Sequence, residues 1–238
     1  MRVDDFPAPG NPDRLPLALA SPFGGVALWS AELATSEREI ARISDWLSPE
    51  EHARAARFGR AALAHRYIAG RALLRWLLAR TLELTPQAVR IVRGARGRPQ
   101  LAGQAGIDFN VSHTQGIALI GMTRARRIGV DIERDDRIVR ADGLARKFLT
   151  AAEQATLAPL SEAERRTRFL RYWTCKEAMS KATGEGLSAP FRQIEVALGP
   201  RIELACGPDP YRPERWELAS VEVPAGLLAT VALWSESA

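Results

Sequence analysis

Apolar residues return to one side of the chain near the helical period over residues 62–83. There Leu63, Tyr67, Leu74, Leu77 and Leu78 recur while Arg66, Arg71, Arg75 and Arg80 fill the remaining positions, a pattern that predicts a long amphipathic helix. A second long helix is predicted over about 161–183, with Gly184 and Gly186 marking its end. Ser48-Pro49-Glu50-Glu51 has the form of a helix start, with Ser48 as the cap, proline in the first turn and Glu51 three residues on. Residues 26–29, 108–112, 117–122 and 128–133 read as strands, and 117–133 as a hairpin with a longish loop. Strand patterns come back at 194–198, 216–221 and 228–234. The Pro- and Gly-rich residues 1–25 and the Gly- and Arg-rich residues 93–101 read as irregular, and 134–147 as a charged segment. The order is strand, helices, strands, then helices and strands again. Gly116-Ile-Ala-Leu-Ile faintly echoes Gly226-Leu-Leu-Ala-Thr, which hints at two similar halves joined near residues 123–128.

Composition narrows this picture. A chain of 238 residues, 46% hydrophobic and 26% charged, has room for one large domain or two small ones. No apolar run approaches the ~20 residues of a membrane helix. Residues 15–20 are too short for a signal peptide core and follow Asp4, Asp5 and Asp13, so a cytoplasmic protein is expected. Cys175 and Cys206 have no Cys or His beside them at metal-ligand spacing, which argues against zinc and against a disulfide framework. The net charge of +5 suits an anionic partner: a nucleic acid, a phosphorylated cofactor or an acidic protein. An arginine-rich coding bias explains the same balance without a partner. Lys147, Lys176 and Lys181 are the only lysines.

Candidate chemistry sits in three places. On a strand, Asp131 and Glu133 face one side while Val130 and Ile132 face the core. Two carboxylates so placed attract a hard cation such as Mg²⁺, or simply form a solvated edge. On a helix, Trp173, Glu177 and Lys181 fall on one stripe. They offer a metal ligand or base beside a phosphate clamp, or an ordinary surface ion pair. Ser112 and His113 are neighbours on a strand, so their side chains diverge, and no nucleophile elbow surrounds the serine. They suit phosphate contacts at a strand end better than a hydrolase triad with Asp131. Gly97-Arg98-Pro99 and the arginines at 54, 57, 66 and 71 could line an anion groove.

Taken in order, these motifs resemble the Sfp-type 4′-phosphopantetheinyl transferases. The Gly129-Val-Asp131-Ile-Glu133 strand, the Trp173-to-Lys181 helix, Phe109-Asn-Val-Ser-His113, Leu47-Ser-Pro-Glu-Glu51 and Gly97-Arg98-Pro99 carry the resemblance over residues 26–234. It implies an α+β fold of two similar α/β halves in a pseudo-twofold arrangement, with the active site in the cleft between them. Residues 1–125 would contact the nucleotide and phosphates of coenzyme A. Residues 126–238 would carry the metal carboxylates and the catalytic helix. The resemblance further implies that Asp131, Glu133 and Glu177 hold Mg²⁺ and that Lys181 contacts the diphosphate. Arg54, Arg66, Arg98, Ser112 and His113 would hold coenzyme A phosphates. Arg98 stands where the family has lysine, and Glu51 where some members have a basic residue. The implied reaction moves the phosphopantetheine arm of coenzyme A to a serine of an apo acyl, peptidyl or polyketide carrier protein and releases 3′,5′-ADP. Glu177 is the base and Lys181 the counter-charge for the leaving phosphate. The expected enzyme is a monomer with no nucleic-acid or membrane partner. The basic segment with Arg137 and Arg140 would meet an acidic carrier. The rival reading is a basic nucleic-acid-binding protein or a metal-dependent nuclease, although no helix-turn-helix, RNP or zinc signature is present.

Overall fold

The computed structural model describes residues 16–103, 106–124 and 126–236, and within them four of the six α-helices start on a side-chain cap. Strand β1 is Leu17–Leu19 and β2 is Val26–Glu32, so the segment expected to be irregular holds a short strand. Its first 15 residues lie outside the described ones. Helix α1 (Glu37–Ser44) is capped by Ser36, and α2 (Pro49–Ala55) by Ser48 in a capping box with Glu51. The long α3 runs Ala61–Leu82 and ends on Glu83 at a φ of 55°. The Gly- and Arg-rich segment is not a plain loop. It is the turn of a small hairpin, β3 (Ile91–Arg93) against β4 (Pro99–Leu101). Strands β5 (Asp108–Thr114), β6 (Ile117–Thr123) and β7 (Arg127–Arg134) follow. The charged segment after β7 runs into α4 (Ala141–Phe148), then α5 (Ala151–Leu157) capped by Thr150 with Glu153. Helix α6 (Glu162–Thr183) begins on a Ser161–Glu164 box and stops at Gly184, whose φ of 81° suits glycine. Strands β8 (Glu195–Leu198), β9 (Ile202–Cys206), β10 (Trp216–Ser220) and β11 (Leu227–Trp234) complete this α+β chain.

The expected hairpin over 117–133 does not form. Strand β6 pairs with β2 and β5 in a four-stranded sheet of order β1-β2-β6-β5, whereas β7 pairs with β11 in a three-stranded sheet of order β10-β11-β7. The hairpin is β5–β6 instead. It turns at Gln115 and Gly116, both at positive φ as a two-residue turn of the primed type requires.

The two sheets pack face to face. Val26, Leu28 and Leu119 from one meet Ile128, Val130, Ile132, Val231 and Leu233 from the other. Gly121 of β6 makes that approach close, since a Cβ there would lie 2.8 Å from the side chains of Ile128 and Val130. Leu74, Leu77 and Leu78 of α3 cover the outer face of the first sheet against Phe109, Ile120 and Met122. The buried face of α6 (Phe169, Leu170, Ala178, Met179 and Ala182) covers the second, with Phe191, Ile194 and Trp216. The layers are helix, sheet, sheet, helix. Each fully buried Leu, Ile or Val in them contributes ~1.5–3 kcal/mol.

Candidate active site

Strand β7 sets up the site by alternation. Its even residues, Ile128, Val130 and Ile132, are buried between the sheets. Its odd residues, Gly129, Asp131 and Glu133, face α6. Gly129 lets the helix come close: a Cβ there would sit 1.8 Å from the Ala178 carbonyl oxygen. Glu177 and Lys181 flank Ala178 along the helix and therefore come down beside Asp131 and Glu133.

Asp131 is only 4% exposed. Its Oδ1 accepts from the Lys181 ammonium at 2.6 Å and from the Ser112 hydroxyl at 2.8 Å. Its Oδ2 is buried without a partner, as is Oε1 of Glu177. Glu133 pairs with Arg137 and accepts from the Thr114 hydroxyl at 3.4 Å. Burial pushes the Glu177 carboxyl above the ordinary carboxylate range; Lys181 opposes that shift, and the charges of Asp131 and Glu133 add to it. Burial raises Glu133 as well, against the pull of Arg137 and with a further push from Asp131. Three carboxylates thus crowd one another in a half-buried place, and two of their oxygens have no protein partner.

These residues fit a hard divalent cation. The donors are oxygens, two are orphaned, and the mutual repulsion is of the sign a cation relieves. Among the described residues no three His, Cys, Asp or Glu side chains already converge as a finished cage. Lys181 and Arg137 occupy oxygens that a cation would claim. Mg²⁺ does not need such a cage, because it commonly takes one or two carboxylates and completes its shell with waters and substrate phosphate.

The other candidate residues divide. Exposed His113 lies on the opposite face of β5 from Ser112. Arg66 is exposed on α3 and lies against the β5–β6 turn, its Nε 3.5 Å from where a Gly116 Cβ would be. Arg54 is exposed on α2, with its guanidinium 5.7 Å from the Tyr67 ring centre. Of the two arginines, Arg66 is the one that borders the end of β5 carrying His113 and Thr114. Ser112 does not point outward. It is buried, and its hydroxyl also accepts from the Ile132 amide at 3.3 Å and from Lys181 at 2.9 Å.

Arg98, expected as a phosphate contact, is taken up by protein partners. It is 7% exposed and forks onto Asp108 through two bonds of 2.7 Å. It also donates to the carbonyls of Lys181, Phe109 and Ile128. Those bonds commit its N–H groups, and the planar fork that replaces lysine is what makes them geometrically available. Glu51 is likewise taken up by protein contacts: it is buried between Arg71 and Arg75 and closes the α2 capping box. Lys176 shares the motif with Glu177 but turns into the core, where it pairs with Glu153 at 2.7 Å. Arg137 is tied to Glu133, so it is not a free steering charge, while Arg140 stays exposed. The sequence reading missed Thr114 and Arg137 as partners of Glu133. Thr114 carried a signal, since it continues the polar alternation of β5. A cavity of about 190 Å³ borders the site from the side of Thr230, the register partner of Asp131, and is lined also by Arg171, Thr174 and Leu228.

The chain is similar to known proteins over most of its length. Residues 127–232 match the family described as the 4′-phosphopantetheinyl transferase superfamily, and residues 31–123 match its N-terminal domain family. The 4′-phosphopantetheinyl transferase HetI of a Nostoc species is 37% identical over 178 residues, 74% of this chain and 75% of that protein. The 4′-phosphopantetheinyl transferase Sfp of Bacillus subtilis is 29% identical over 163 residues, 68% of this chain and 71% of that protein. The human L-aminoadipate-semialdehyde dehydrogenase-phosphopantetheinyl transferase is 28% identical over 165 residues, 65% of this chain and 53% of that protein. With Asp131, Glu133, Glu177 and Lys181 gathered at one place and both family matches in sequence, the chain belongs to the 4′-phosphopantetheinyl transferase family.

Proposed function

We propose that this enzyme transfers the 4′-phosphopantetheine arm of coenzyme A to a serine of an apo acyl, peptidyl or polyketide carrier protein, in a Mg²⁺-dependent reaction that releases 3′,5′-ADP. The observation that carries the reading is the crowding of Asp131, Glu133 and Glu177 beside Lys181, with two carboxylate oxygens left buried and unpartnered. Asp131, Glu133 and Glu177 would hold the metal. Bound there, Mg²⁺ supplies charge neutralisation of the diphosphate and polarisation of the phosphorus under attack.

The residues of the chain account for the remaining steps. Exposed Arg54, Arg66 and His113 would hold the phosphates of coenzyme A at the end of β5. The carrier serine oxygen forms a bond to the pantetheine-side phosphorus as the bond from that phosphorus to the 3′,5′-ADP oxygen breaks. The serine proton goes to Glu177, directly or through a water. A carboxylate raised toward neutral pH by burial is suited to that role, worth ~10²–10⁴-fold. Lys181 offsets the charge that develops on the departing phosphate. Positioning and electrostatics do most of the work in such transfers. Residues up to 125 would supply the coenzyme A contacts and residues from 126 the carboxylates, in a monomeric cytoplasmic enzyme. No helix among the described residues is long and apolar enough to cross a membrane.

Thermal melting separates this reading from nucleic-acid binding. Coenzyme A with Mg²⁺ should raise the Tm, by ~2.7 kcal/mol of stabilisation at a ligand concentration of about 100 Kd, and an oligonucleotide should not. Stabilisation by the oligonucleotide alone would reverse the assignment.

A further inference from the structure

The two sheets meet along an unusual seam. One edge of β7 is taken by β11, and the other runs beside β5 without a backbone ladder between them. The free edge is filled by side chains. The Ile128 amide donates to Asp108 Oδ2 at 2.8 Å, the Val130 amide to Asn110 Oδ1 at 3.0 Å, and the Ile132 amide to Ser112 Oγ at 3.3 Å. The carbonyl of Ile128 accepts from Arg98 at 2.7 Å and that of Val130 from Lys181 at 3.3 Å. Three side chains at alternate positions of β5 thus stand in for a neighbouring strand. Buried amides need such partners.

The seam brackets Asp131. The amides on either side of it, Val130 and Ile132, are the ones held by Asn110 and Ser112, and Lys181 is anchored to the carbonyl between them. We infer that Asn110 is a positioning residue for the transfer reaction. Its amide oxygen fixes the register of β7 against β5 and so sets where the Asp131 carboxylate and the Lys181 ammonium stand relative to groups on the first sheet. Asn110 itself is buried, and its amide oxygen binds the Val130 backbone, not the Asp131 carboxylate. It acts through the Val130 peptide. Arg98 and Asp108 form the next rung of the same device, which explains why that arginine is spent on protein contacts. The inference rests on the proposed reaction for its effect on turnover, and on geometry alone for its effect on the strand.

The test compares Asn110→Leu, which keeps the branched shape with more bulk but removes the acceptor, with Asn110→Asp, which keeps an acceptor oxygen. Two readouts are needed: kcat and KM for transfer across a Mg²⁺ series, and direct Mn²⁺ titration by electron paramagnetic resonance with coenzyme A present. Asn110→Leu should lose about 10–100-fold in metal affinity or in kcat, as loss of an outer support for a metal ligand does. The KM for coenzyme A should hold steady, and Asn110→Asp should recover most of the loss. A purely structural asparagine would lower stability and leave the metal dependence and kcat of the folded fraction at wild-type values, and that result overturns the inference. So does equal damage from both variants. If Asn110→Leu does not fold, Asp108→Asn reads the next rung, and an unchanged Mg²⁺ dependence there overturns the inference too. Should the wild-type protein bind Mn²⁺ but transfer nothing, the proposed reaction fails, while weakened Mn²⁺ binding in Asn110→Leu would still support the seam.

Discussion

Glu177 is held where its charge is costly, beside two other carboxylates and half-buried between α6 and β7, so stability and function pull in opposite directions at this residue. Its folded-state pKa is raised by burial first. The stabilisation from the protonated form is therefore full below the unfolded carboxylate range and is lost as the pH rises through the raised folded value. Without divalent cation, Glu177→Gln should melt higher than wild type at neutral pH, and the gap should close as the pH falls toward about 4. The same variant should lose ~10²-fold or more in turnover if the carboxylate is both ligand and base. Melting curves across pH, paired with transfer assays, check both halves. A variant that melts lower at neutral pH would contradict the assigned environment. The sequence paired Asp131 with Glu133 and Glu177 with Lys181 because strand and helix periods are short-range facts, and the family resemblance joined the two pairs. The helical period put Lys181, not Lys176, on the stripe with Glu177. Both ammonium groups sit in one motif, and only packing shows that Lys176 is buried against Glu153 while Lys181 reaches Asp131. The sequence could not show that Arg98 is consumed by Asp108, because that depends on a contact between segments brought together by folding.

At the scale of elements, the junction of α6 with β7 decides whether the site exists. Gly129 has no side chain between the strand and the Ala178 backbone, so Gly129→Ala must push the helix away. Overpacking of this sort costs ~1–3 kcal/mol, and more where backbone is the obstacle. Because α6 carries Glu177 and Lys181, kcat should fall further than the stability loss explains. Denaturant unfolding together with kcat measured well below the midpoint checks this, and a variant with normal turnover would mean that the helix position is not critical. Both long helices were legible from their apolar period, and α6 also from its terminal glycine. The helices α4 and α5 were missed because they are short, although Thr150 and Glu153 hold a capping-box signature that could have revealed α5. The supposed hairpin over 117–133 failed for a different reason. Strands adjacent in sequence and equally apolar can pair edge to edge or stack face to face. Here Gly121 permits stacking, and the turn went to Gln115 and Gly116, where glutamine adopts a positive φ that its residue type does not announce. The seam along β5 was visible as polar residues at every second position from Asp108 to Thr114. Its meaning was not, because an alternating polar face ordinarily points to solvent.

For the whole molecule, the order of motifs carried the function and the contacts between sheets carried the geometry. The α+β class and the family could be read from the chain, whereas the face-to-face packing of two sheets could not, since it rests on pairings between residues far apart in sequence. The excess of arginine has two destinations. Part is buried as structure in Arg75 and Arg98, and part is exposed, in Arg54 on α2 and in Arg66 beside the β5–β6 turn. Net charge alone therefore overstated the cationic surface available to coenzyme A. The central claim is that Asp131 serves a cation used in phosphopantetheine transfer. Intact-mass spectrometry of an apo carrier protein, after incubation with coenzyme A, Mg²⁺ and either wild-type enzyme or Asp131→Ala, tests it most directly, with circular dichroism confirming that the variant is folded. The account predicts that the carrier gains the mass of one phosphopantetheine arm with wild type, gains none with wild type when Mg²⁺ is chelated, and gains none with the folded variant. Transfer by Asp131→Ala at the wild-type rate in limiting Mg²⁺ would contradict it.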